Sequence, residues 1–278
     1  MLSVIYGLLS AIGWGAADFS GGLASKKSSP YQVLFLAEIA GLVPLFIAAL
    51  LLHEPVPALP AWLWSAAASA LGTVGLLFLY RALAGGHMTI AAPVSALLAA
   101  VIPVIVGAIT QGLPGPLTLL GFALALASVW IISQNGEASD RHFTLHNLQL
   151  PFIAGLFFGF YFVMIYQATR EPFLWPLANA RLVGTLIMLG YAAAARSPIL
   201  PKMQVWPVAI LAGVLDVSGN FFYILASQTG RLDVAAVLGA LYPASTVLLA
   251  WMILKEKLGR LQVFGILLAL TAITFLTV

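Results

Sequence analysis

The sequence predicts an all-α membrane protein with ten transmembrane helices in two five-helix repeats, and three observations support that fold class. The first is composition. Of the 278 residues, 62% are hydrophobic and 8% are charged, whereas about 25% of the residues of a soluble domain are charged. With a mean hydropathy of +1.05, most of the chain must be solvated by lipid rather than by water.

The second observation is a series of ten apolar windows, most of them close to the roughly 20 residues that cross a bilayer. The windows span about residues 3–23, 32–52, 62–82, 89–110, 117–134, 150–168, 174–195, 206–227, 234–254 and 260–277. In hydrocarbon every backbone polar group needs a partner within the protein. Because the windows lack the alternating pattern of a barrel strand, we expect each of them to be a helix.

The third observation is an internal repeat. The stretch that begins at Trp206 matches the stretch that begins at Trp62, without a gap, at an offset of 144. The offset sets Trp206 on Trp62, Gly219 on Gly75, Phe222 on Phe78, Gly265 on Gly121 and Ala269 on Ala125. A period this long indicates that half of a protein was duplicated. We therefore expect a first repeat at 1–134, a connector at 135–149 and a second repeat at 150–278. Since five is an odd number of helices, the second repeat should be inverted in the membrane.

Composition also excludes several kinds of site. The chain contains no cysteine, which excludes a disulfide framework and a thiolate metal site. Its formal net charge of +3 indicates basic loops beside a membrane rather than nucleic-acid binding. His142 and His146 of the connector are interpreted as solvated rather than as metal ligands, and we expect neither a metal nor a cofactor. The first helix is expected to be retained rather than cleaved as a signal peptide, because no basic segment precedes it.

Helix 1 carries a stripe of polar and aromatic side chains on one face. Its members are spaced by four residues: Tyr6, Ser10, Trp14 and Asp18. A carboxylate near the middle of a membrane costs at least about 2.5 kcal/mol, so we expect this face to contact protein or water. Asp18 would then be a gating or coupling group. The alternative is that Asp18 lies at the membrane surface beside Lys26 and Lys27.

Helices 2 and 7 carry opposite charges at equivalent positions. Glu38 of the first repeat aligns with Arg181 of the second when Gly41 is set on Gly184. Charges inside a membrane are usually neutralised by partners, so we expect both side chains to be buried with a polar or charged neighbour. A structural pairing and a role in gating or proton coupling both fit this pattern.

Helix 8 carries a second polar stripe inside an apolar run, and it includes Asp216, Asn220 and Tyr223. The equivalent positions of helix 3 hold Gly72, Leu76 and Leu79. The two repeats therefore share a frame and differ in lining, as expected if one side of a duplicated scaffold became a site.

Helix 6 is rich in aromatic residues, of which Phe158 and Tyr161 share one face. We predict a substrate site at mid-membrane between helices 1, 6 and 8, because aromatic walls with a few polar groups are typical of small-molecule cavities. The predicted lining is Trp14, Phe158, Tyr161, Asp216, Asn220 and Tyr223. Asp216 is expected to pair with an amino group of the substrate or to take up a coupling proton. The alternative is that Asp216 and Asn220 only hydrogen-bond a neighbouring helix.

Prolines and small residues predict where the helices bend and where they pack. We expect Pro93 and Pro103 to interrupt helix 4, and Pro243 to interrupt helix 9, because proline removes a backbone hydrogen bond. These bends serve either packing or gating. Helices 5 and 10 contain Gly121 and Gly265, each followed four residues later by alanine. That spacing allows two backbones to approach closely.

Several runs carry a resemblance to a known family. They are Trp14-Gly15 in helix 1, then Ala235-Ala236-Val237-Leu238-Gly239-Ala240-Leu241-Tyr242-Pro243, Ile253-Leu254-Lys255-Glu256-Lys257-Leu258 and Gln262-Val263-Phe264-Gly265. With two five-helix repeats over nearly the whole chain, the sequence resembles the EamA-type transporters of the drug/metabolite transporter (DMT) superfamily. The first repeat departs from the pattern, with Gln111-Gly112-Leu113-Pro114 in place of the Lys-Glu-Lys turn. Glu38 also stands where members often carry arginine.

The resemblance implies two inverted repeats around a central cavity lined by helices 1, 3, 4, 6, 8 and 9, working by alternating access. Relatives carry amino acids, nucleotide sugars, sugar phosphates and drugs, so the family does not fix the substrate. Nine Lys and Arg residues fall in one set of loops and two in the opposite set, which places both termini outside by the positive-inside rule. Relatives are generally drawn with both termini in the cytoplasm.

The leading functional hypothesis is a secondary transporter that exports small organic metabolites, either amino acids or drug-like amphiphiles, across the inner (plasma) membrane. Its partners would be the substrate and the lipid bilayer, with the chain a monomer or a weak homodimer. A channel or a lipid scramblase is the alternative, although the sequence lacks the rings of repeated polar residues typical of channels. A membrane-embedded enzyme is less expected, since no catalytic motif is present.

Overall fold

The computed structural model describes residues 1–84, 88–132, 145–170, 172–255 and 259–276. Within these ranges the chain is helical apart from short connections, and it contains no strand. Its helices are α1 (Leu2–Ser25), α2 (Pro30–Leu51), α3 (Leu59–Ala84), α4 (Met88–Gln111), α5 (Pro116–Ile132), α6 (Leu145–Ala168), α7 (Leu174–Ala194), α8 (Trp206–Thr229), α9 (Leu232–Gly239), α10 (Tyr242–Leu254) and α11 (Arg260–Leu276). His142, the side chain of His146 and residues 256–258, which include the last two residues of the Lys-Glu-Lys turn, lie outside the described residues.

Eight helical segments of the described chain are long and apolar enough to cross a membrane. One of them, Leu232–Ile253, comprises α9 and most of α10, whereas α5 and α11 are shorter apolar helices of 17 residues each. Large apolar side chains point outward from many of these helices, and Phe46, Leu186 and Leu267 are each about half exposed. Such a surface suits lipid and not water. The prediction of an all-helical, multi-pass membrane protein is therefore confirmed.

Prolines have different effects on two of the helices. The predicted helix 9 is broken into α9 and α10, where the Leu241 N–H turns back to the Leu238 carbonyl at 3.1 Å. Pro243 has no N–H with which to continue the helical ladder, and its ring excludes the carbonyl four residues earlier. Helix α4 instead runs unbroken through Pro93 and Pro103. The prediction that these two prolines interrupt helix 4 is wrong, because a membrane helix can adjust locally around a single missing bond.

Helices of the first repeat pack against helices of the second. Helix α1 contacts α8, and the equivalent contact joins α6 to α3. The equivalent helices α2 and α7 contact each other, as do α5 and α11. Gly121 of α5 lies against Leu276 of α11. Its equivalent, Gly265 of α11, lies against Ile132 of α5, which is itself the equivalent of Leu276. A Cβ at either glycine would stand 2.7 Å from the facing side chain. Both glycines therefore allow the same close approach of two antiparallel helices.

A second pair of equivalent contacts between the repeats lies at the centre of the bundle. The indole of Trp14 on α1 lies over Gly219 of α8, where a Cβ would stand 2.5 Å from the ring. The ring of Phe158 on α6 lies over Gly75 of α3, where a Cβ would stand 3.1 Å away. Phe158 and Gly75 are the sequence equivalents of Trp14 and Gly219. Each large aromatic side chain thus occupies the space that a glycine of the opposite repeat leaves free.

Because consecutive helices run in opposite directions, their connections lie on two opposite faces. The N-terminal face carries Met1 and the α2–α3, α4–α5, α6–α7 and α8–α9 connections. The lysine face carries the α1–α2, α7–α8 and α10–α11 connections, with Lys26, Lys27, Arg196, Lys202, Lys255 and Arg260. On the lysine face, Tyr31 Oη and Gln32 Nε2 both donate to the Pro198 carbonyl, at 2.9 and 2.8 Å. These bonds join the first repeat to the second.

On the N-terminal face, a carboxylate makes the corresponding connection between the repeats. Glu54 accepts hydrogen bonds from the three backbone N–H groups of residues 173–175 at 2.9 to 3.0 Å. It thereby satisfies the first turn of α7, whose N–H groups have no partner within the helix. Farther along this face, Arg231 pairs with Asp233 at 2.7 Å and donates to the Gln111 carbonyl at 3.2 Å. The contacts of Glu54 and Arg231 both join the first repeat to the second on the N-terminal face.

Candidate functional site

A cavity lies at the centre of the helix bundle, about midway between the two faces. Its volume is about 70 Å³, and a buried water needs about 10–15 Å³ on this scale. Side chains from seven helices line it: Trp14, Asp18, Glu38, Ser69, Gly72, Thr73, Leu76, Phe158, Tyr161, Phe162, Ala180, Arg181, Asp216, Asn220 and Tyr242. Helices α1, α6 and α8 all contribute, as the sequence predicts, and α2, α3 and α7 complete most of the wall.

Arg181 of α7 bridges two carboxylates across this cavity. Its Nη1 lies 3.2 Å from Glu38 Oε2 on α2, and its Nη2 lies 2.5 Å from Asp216 Oδ2 on α8. The side chains of Arg181 and Glu38 are 9% and 4% exposed. Burying a charge is costly unless a partner compensates it. Glu38 and Arg181 are thus buried and paired, as expected from their positions in the sequence, whereas their role in gating stays a prediction.

Neutral side chains hold these carboxylates in place. Thr73 Oγ1 donates to Glu38 Oε1 at 3.1 Å. Asn220 Nδ2 donates to Asp216 Oδ2 at 3.1 Å and to the Asp216 carbonyl at 2.7 Å. The hydroxyl of Tyr161 donates in turn to Asn220 Oδ1. A continuous chain of polar contacts therefore runs from α6 through α8 to the arginine on α7.

Asp18 differs from the other two carboxylates of the cavity. It lines the cavity and is 6% exposed, yet none of the ion pairs or hydrogen bonds of the described residues includes it. It therefore lies inside the bundle and not at the membrane surface beside Lys26, which was the alternative left open by the sequence. When all groups are ionised, Asp18, Glu38 and Asp216 carry three negative charges against the single positive charge of Arg181.

An aromatic cluster forms one wall of the cavity. Trp14 stacks on Phe162, with ring centroids 5.1 Å apart and planes 20° apart. Tyr223 packs behind both rings, 5.5 Å from Trp14 and 4.8 Å from Phe162, and its hydroxyl donates to the Phe162 carbonyl at 3.3 Å. The predicted lining is corrected here, because Tyr223 is fully buried behind the wall and supports it from outside the cavity.

The cavity brings together two sets of residues that the sequence treats separately. From the predicted substrate site it includes Trp14, Phe158, Tyr161, Asp216 and Asn220, and from the predicted gating or coupling group it includes Asp18, Glu38 and Arg181. Asp216, the group expected to bind an amino group or a proton, is already held by Arg181 and Asn220. The carboxylate without such partners is Asp18.

Sequence reasoning missed several residues of the lining. Ser69 and Thr73 lie four residues apart on α3 and place two hydroxyls on the face that packs against α7. There Ser69 donates to the Ala180 carbonyl. Their spacing is the same signal that reveals the stripe on helix 1. Tyr242 directly precedes Pro243, and the break between α9 and α10 places it against the cavity.

The arrangement suits the binding of a positive group. The cavity combines an excess of carboxylates with aromatic faces, which attract cations. Within the part of the chain that the structure describes, no group of three or more histidine or acidic side chains is placed to hold a metal ion. Buried carboxylates beside aromatic rings are chemically able to accept a proton or an organic cation.

Comparison with known proteins places the whole chain in a family. The model of the EamA-like transporter family matches residues 1–134 and 148–278. An uncharacterized protein of Methanocaldococcus jannaschii is 28% identical over 131 residues, which cover 46% of this chain and 94% of that protein. A solved crystal structure whose name specifies no activity superposes with a TM-score of 0.75 at 17% identity, over 97% of this chain and 98% of its own. The latter likeness concerns the fold alone.

Proposed function

The chain belongs to the EamA-like transporter family, and we propose that it is a secondary transporter of small organic amines that works by alternating access. The observation that carries the proposal is the charge imbalance of the cavity. Among the described residues, Asp18, Glu38 and Asp216 line the cavity with Arg181 as their sole cationic partner. Two formal negative charges are left for something other than the protein to neutralise.

A net negative charge in a low-dielectric interior is unstable unless a proton or a cation balances it. Arg181 is shared by two carboxylates, so Asp18 is the group that is left to bind. A protonated amine and a proton compete for Asp18, because both neutralise the same charge. Competition for one site links the outward movement of the amine to the inward movement of protons, and a proton gradient can then drive export.

The lining also favours one substrate class over another. Trp14, Phe158 and Phe162 offer apolar rings to the body of an amphiphile, and an aromatic face adds about 0.5–2 kcal/mol for a cation. A substrate carboxylate would instead have to compete for Arg181 with two carboxylates that lie 2.5 and 3.2 Å from it. Drug-like amines are therefore favoured over amino acids, the two classes that the sequence left open.

We infer that residues 1–134 and 150–278 are inverted five-helix repeats, joined by the connector at 135–149. The reciprocal packing of α5 and α11 supports this, because equivalent antiparallel helices require a two-fold axis in the membrane plane. The turns before α3 and α8 are also alike, since Trp62 donates to the Pro57 carbonyl and Trp206 to the Pro201 carbonyl, each at 3.1 Å. The M. jannaschii relative, about half as long as this chain, corresponds in length to one repeat.

Transport requires the bundle to open. A cavity of about 70 Å³ is smaller than the roughly 300–1,000 Å³ of a typical ligand pocket, so the helices around it must separate to admit substrate. Opening toward the N-terminal face would break the contacts of Glu54 and Arg231. The break between α9 and α10 lies next to the cavity at Tyr242 and is the natural hinge for this movement.

The distribution of charge suggests how the protein lies in the cell. Basic residues concentrate on the lysine face, and basic loops are retained in the cytoplasm. We therefore place that face in the cytoplasm and both termini outside, in the inner (plasma) membrane. We propose that a monomer or a weak homodimer carries out the export.

Counterflow in proteoliposomes tests the proposal. Vesicles loaded with an unlabelled aromatic amine are diluted into buffer with a trace of the labelled amine, and uptake is followed in parallel for amino acids and aromatic carboxylates. We expect a transient overshoot with amines, accelerated by an outward proton gradient, and none with carboxylates.

Other outcomes would overturn it. A leak without overshoot would indicate a channel, movement of a fluorescent lipid would indicate a scramblase, and chemical change of the amine would indicate an enzyme. Overshoot with carboxylates but not with amines would show that the charge balance of the cavity has been misread.

A further inference from the structure

We propose that a groove on the lysine face binds the phosphate of an anionic lipid. The groove lies between the α1–α2 connection of the first repeat and the α7–α8 connection of the second, and its volume is about 580 Å³. Its lining includes Lys26, Lys27, Gln32, Pro198, Leu200 and Lys202. It shares no residue with the mid-membrane cavity, so this site does not depend on the proposed transport activity.

The lysines of the groove have no counter-charge within the described chain. Lys26, Lys27 and Lys202 are exposed, and the ion pairs of the described residues include none of them. The acidic side chains that the structure describes all lie in the cavity or on the N-terminal face: Asp18, Glu38, Glu54, Asp216 and Asp233. Since no described acidic side chain pairs with these lysines, the groove can accept an oxyanion as their counter-charge.

Hydrogen bonds between the two repeats hold the walls of the groove in position. Gln32 Nε2 donates to the Pro198 carbonyl at 2.8 Å, and Tyr31 Oη donates to the same carbonyl at 2.9 Å. On the other side of Gln32, its Oε1 accepts from Ser28 Oγ at 2.8 Å. The α1–α2 connection and the segment before Lys202 are therefore fixed relative to each other before a ligand arrives. Such preorganisation lowers the entropic cost of binding.

Position and apolar surface favour a lipid over a free phosphate. Lys26 and Lys27 directly follow the span Leu2–Ser25, and Lys202 directly precedes the span Met203–Thr229, so their ammonium groups lie at headgroup level. Beside Lys202, Leu200 is 49% exposed and can contact the glycerol and upper acyl chain. Basic pockets between transmembrane helices bind anionic headgroups, and each lysine near the surface adds about fivefold in affinity.

Lipid titration of the full chain tests the site. The purified protein in detergent is titrated with phosphatidylglycerol or with phosphatidylcholine of the same acyl chains, and bound lipid is counted by native mass spectrometry. The variant K26Q/K27Q/K202Q is compared with K255Q/R260Q, which removes two exposed basic residues of the same face outside the groove. We expect the first variant to bind phosphatidylglycerol roughly 100-fold more weakly and the second to bind it like the wild type.

Two measurements on the wild type keep the test independent of whether the triple variant folds. Binding of phosphatidylglycerol should exceed that of phosphatidylcholine, and inorganic phosphate at the same concentration should not displace it. Equal binding of the two lipids would overturn the site. Displacement by inorganic phosphate would overturn the lipid as its occupant, and equal losses in both variants would replace the groove with diffuse attraction to the whole face.

Discussion

The two repeats use the same residues where they pack against each other and different residues where they line the cavity. Gly121 and Gly265 occupy equivalent positions and leave the same 2.7 Å clearance for a Cβ. At the cavity, α8 presents Asp216 and Asn220, whereas the equivalent positions of α3 hold Gly72 and Leu76. A change in packing residues would disturb the contacts between helices, whereas a change in the cavity lining leaves those contacts intact. The difference distinguishes residues that determine how the helices pack from residues that determine the chemistry of the cavity.

The contact between Glu38 and Arg181 explains why the residues that line the cavity differ between the two repeats. They occupy equivalent positions in α2 and α7, and they meet each other at 3.2 Å. Where equivalent residues touch, two copies of the same charge would repel at short range in a low-dielectric interior. Opposite charges at these positions attract instead. The asymmetry between the repeats is therefore a physical requirement at this contact.

Breaking the central ion pair should have the largest effect on stability. Arg181→Ala leaves Glu38 and Asp216 buried without their cation, which costs about 3–5 kcal/mol. The charge-neutral variant E38Q/R181Q/D216N removes all three charges and should lose much less. Thermal melting and folded yield in detergent measure both.

A surface arginine provides the control for this experiment. Arg81 donates to Tyr191 Oη at 2.8 Å at the edge of the bundle, and Arg81→Ala should cost less than about 1 kcal/mol. If Arg181→Ala and the neutral variant lost the same stability, the ionic role of the cluster would be refuted.

The two aromatic contacts with glycine should differ in their tolerance of a methyl group. A Cβ at Gly219 would lie 2.5 to 2.9 Å from the indole of Trp14, whereas one at Gly75 would lie 3.1 to 3.2 Å from Phe158 and Phe157. We expect Gly219→Ala to cost about 1–3 kcal/mol through overpacking and Gly75→Ala clearly less. Melting temperatures of the two variants give the comparison directly, and the reverse order would show that Trp14 yields more easily than Phe158.

Variants of the contacts that join the repeats on the two faces should differ less in their loss of stability. Glu54→Gln removes the charge that caps α7 and should cost about 1–2 kcal/mol, since three backbone N–H groups depend on it. Gln32→Ala removes one hydrogen bond to the Pro198 carbonyl, while Tyr31 keeps another, and should cost about 0.5–1.5 kcal/mol. Denaturation of each variant in the same detergent checks the order. A larger loss at Gln32 would contradict the importance given to the charged cap.

Composition and the long repeat were sufficient to predict the helical membrane fold, because a bilayer permits few solutions for an apolar chain. Side-chain spacing also placed Trp14, Asp216 and Asn220 in the predicted substrate site and Asp18 in the predicted gating or coupling group, since residues four apart share a helix face. The equivalence of Glu38 with Arg181 gave their positions but not their contact. Contacts between helices depend on packing angles that one sequence does not contain.

The remaining features depend on three-dimensional packing. Glu54 lies in a loop whose sequence carries no sign of the distant helix end that it caps. Tyr223 follows the polar stripe of α8, yet its ring packs behind Phe162 and outside the cavity. Which carboxylate is left without a partner depends on where Arg181, Thr73 and Asn220 reach. Periodicity identifies a face, and only the neighbouring helices decide what that face meets.

We propose Asp18 as the carboxylate at which amine and proton exchange. The most direct test of this role is amine counterflow by Asp18→Asn and Asp216→Asn in proteoliposomes, at several pH values, with thermal melting of each protein. Asp18→Asn should abolish both the overshoot and its pH dependence with an unchanged or higher melting temperature, since it removes an uncompensated buried charge. Asp216→Asn should lower the melting temperature, because it weakens an ion pair at 2.5 Å. Wild-type counterflow with a wild-type pH profile in Asp18→Asn would show that Asp18 is not the exchange site.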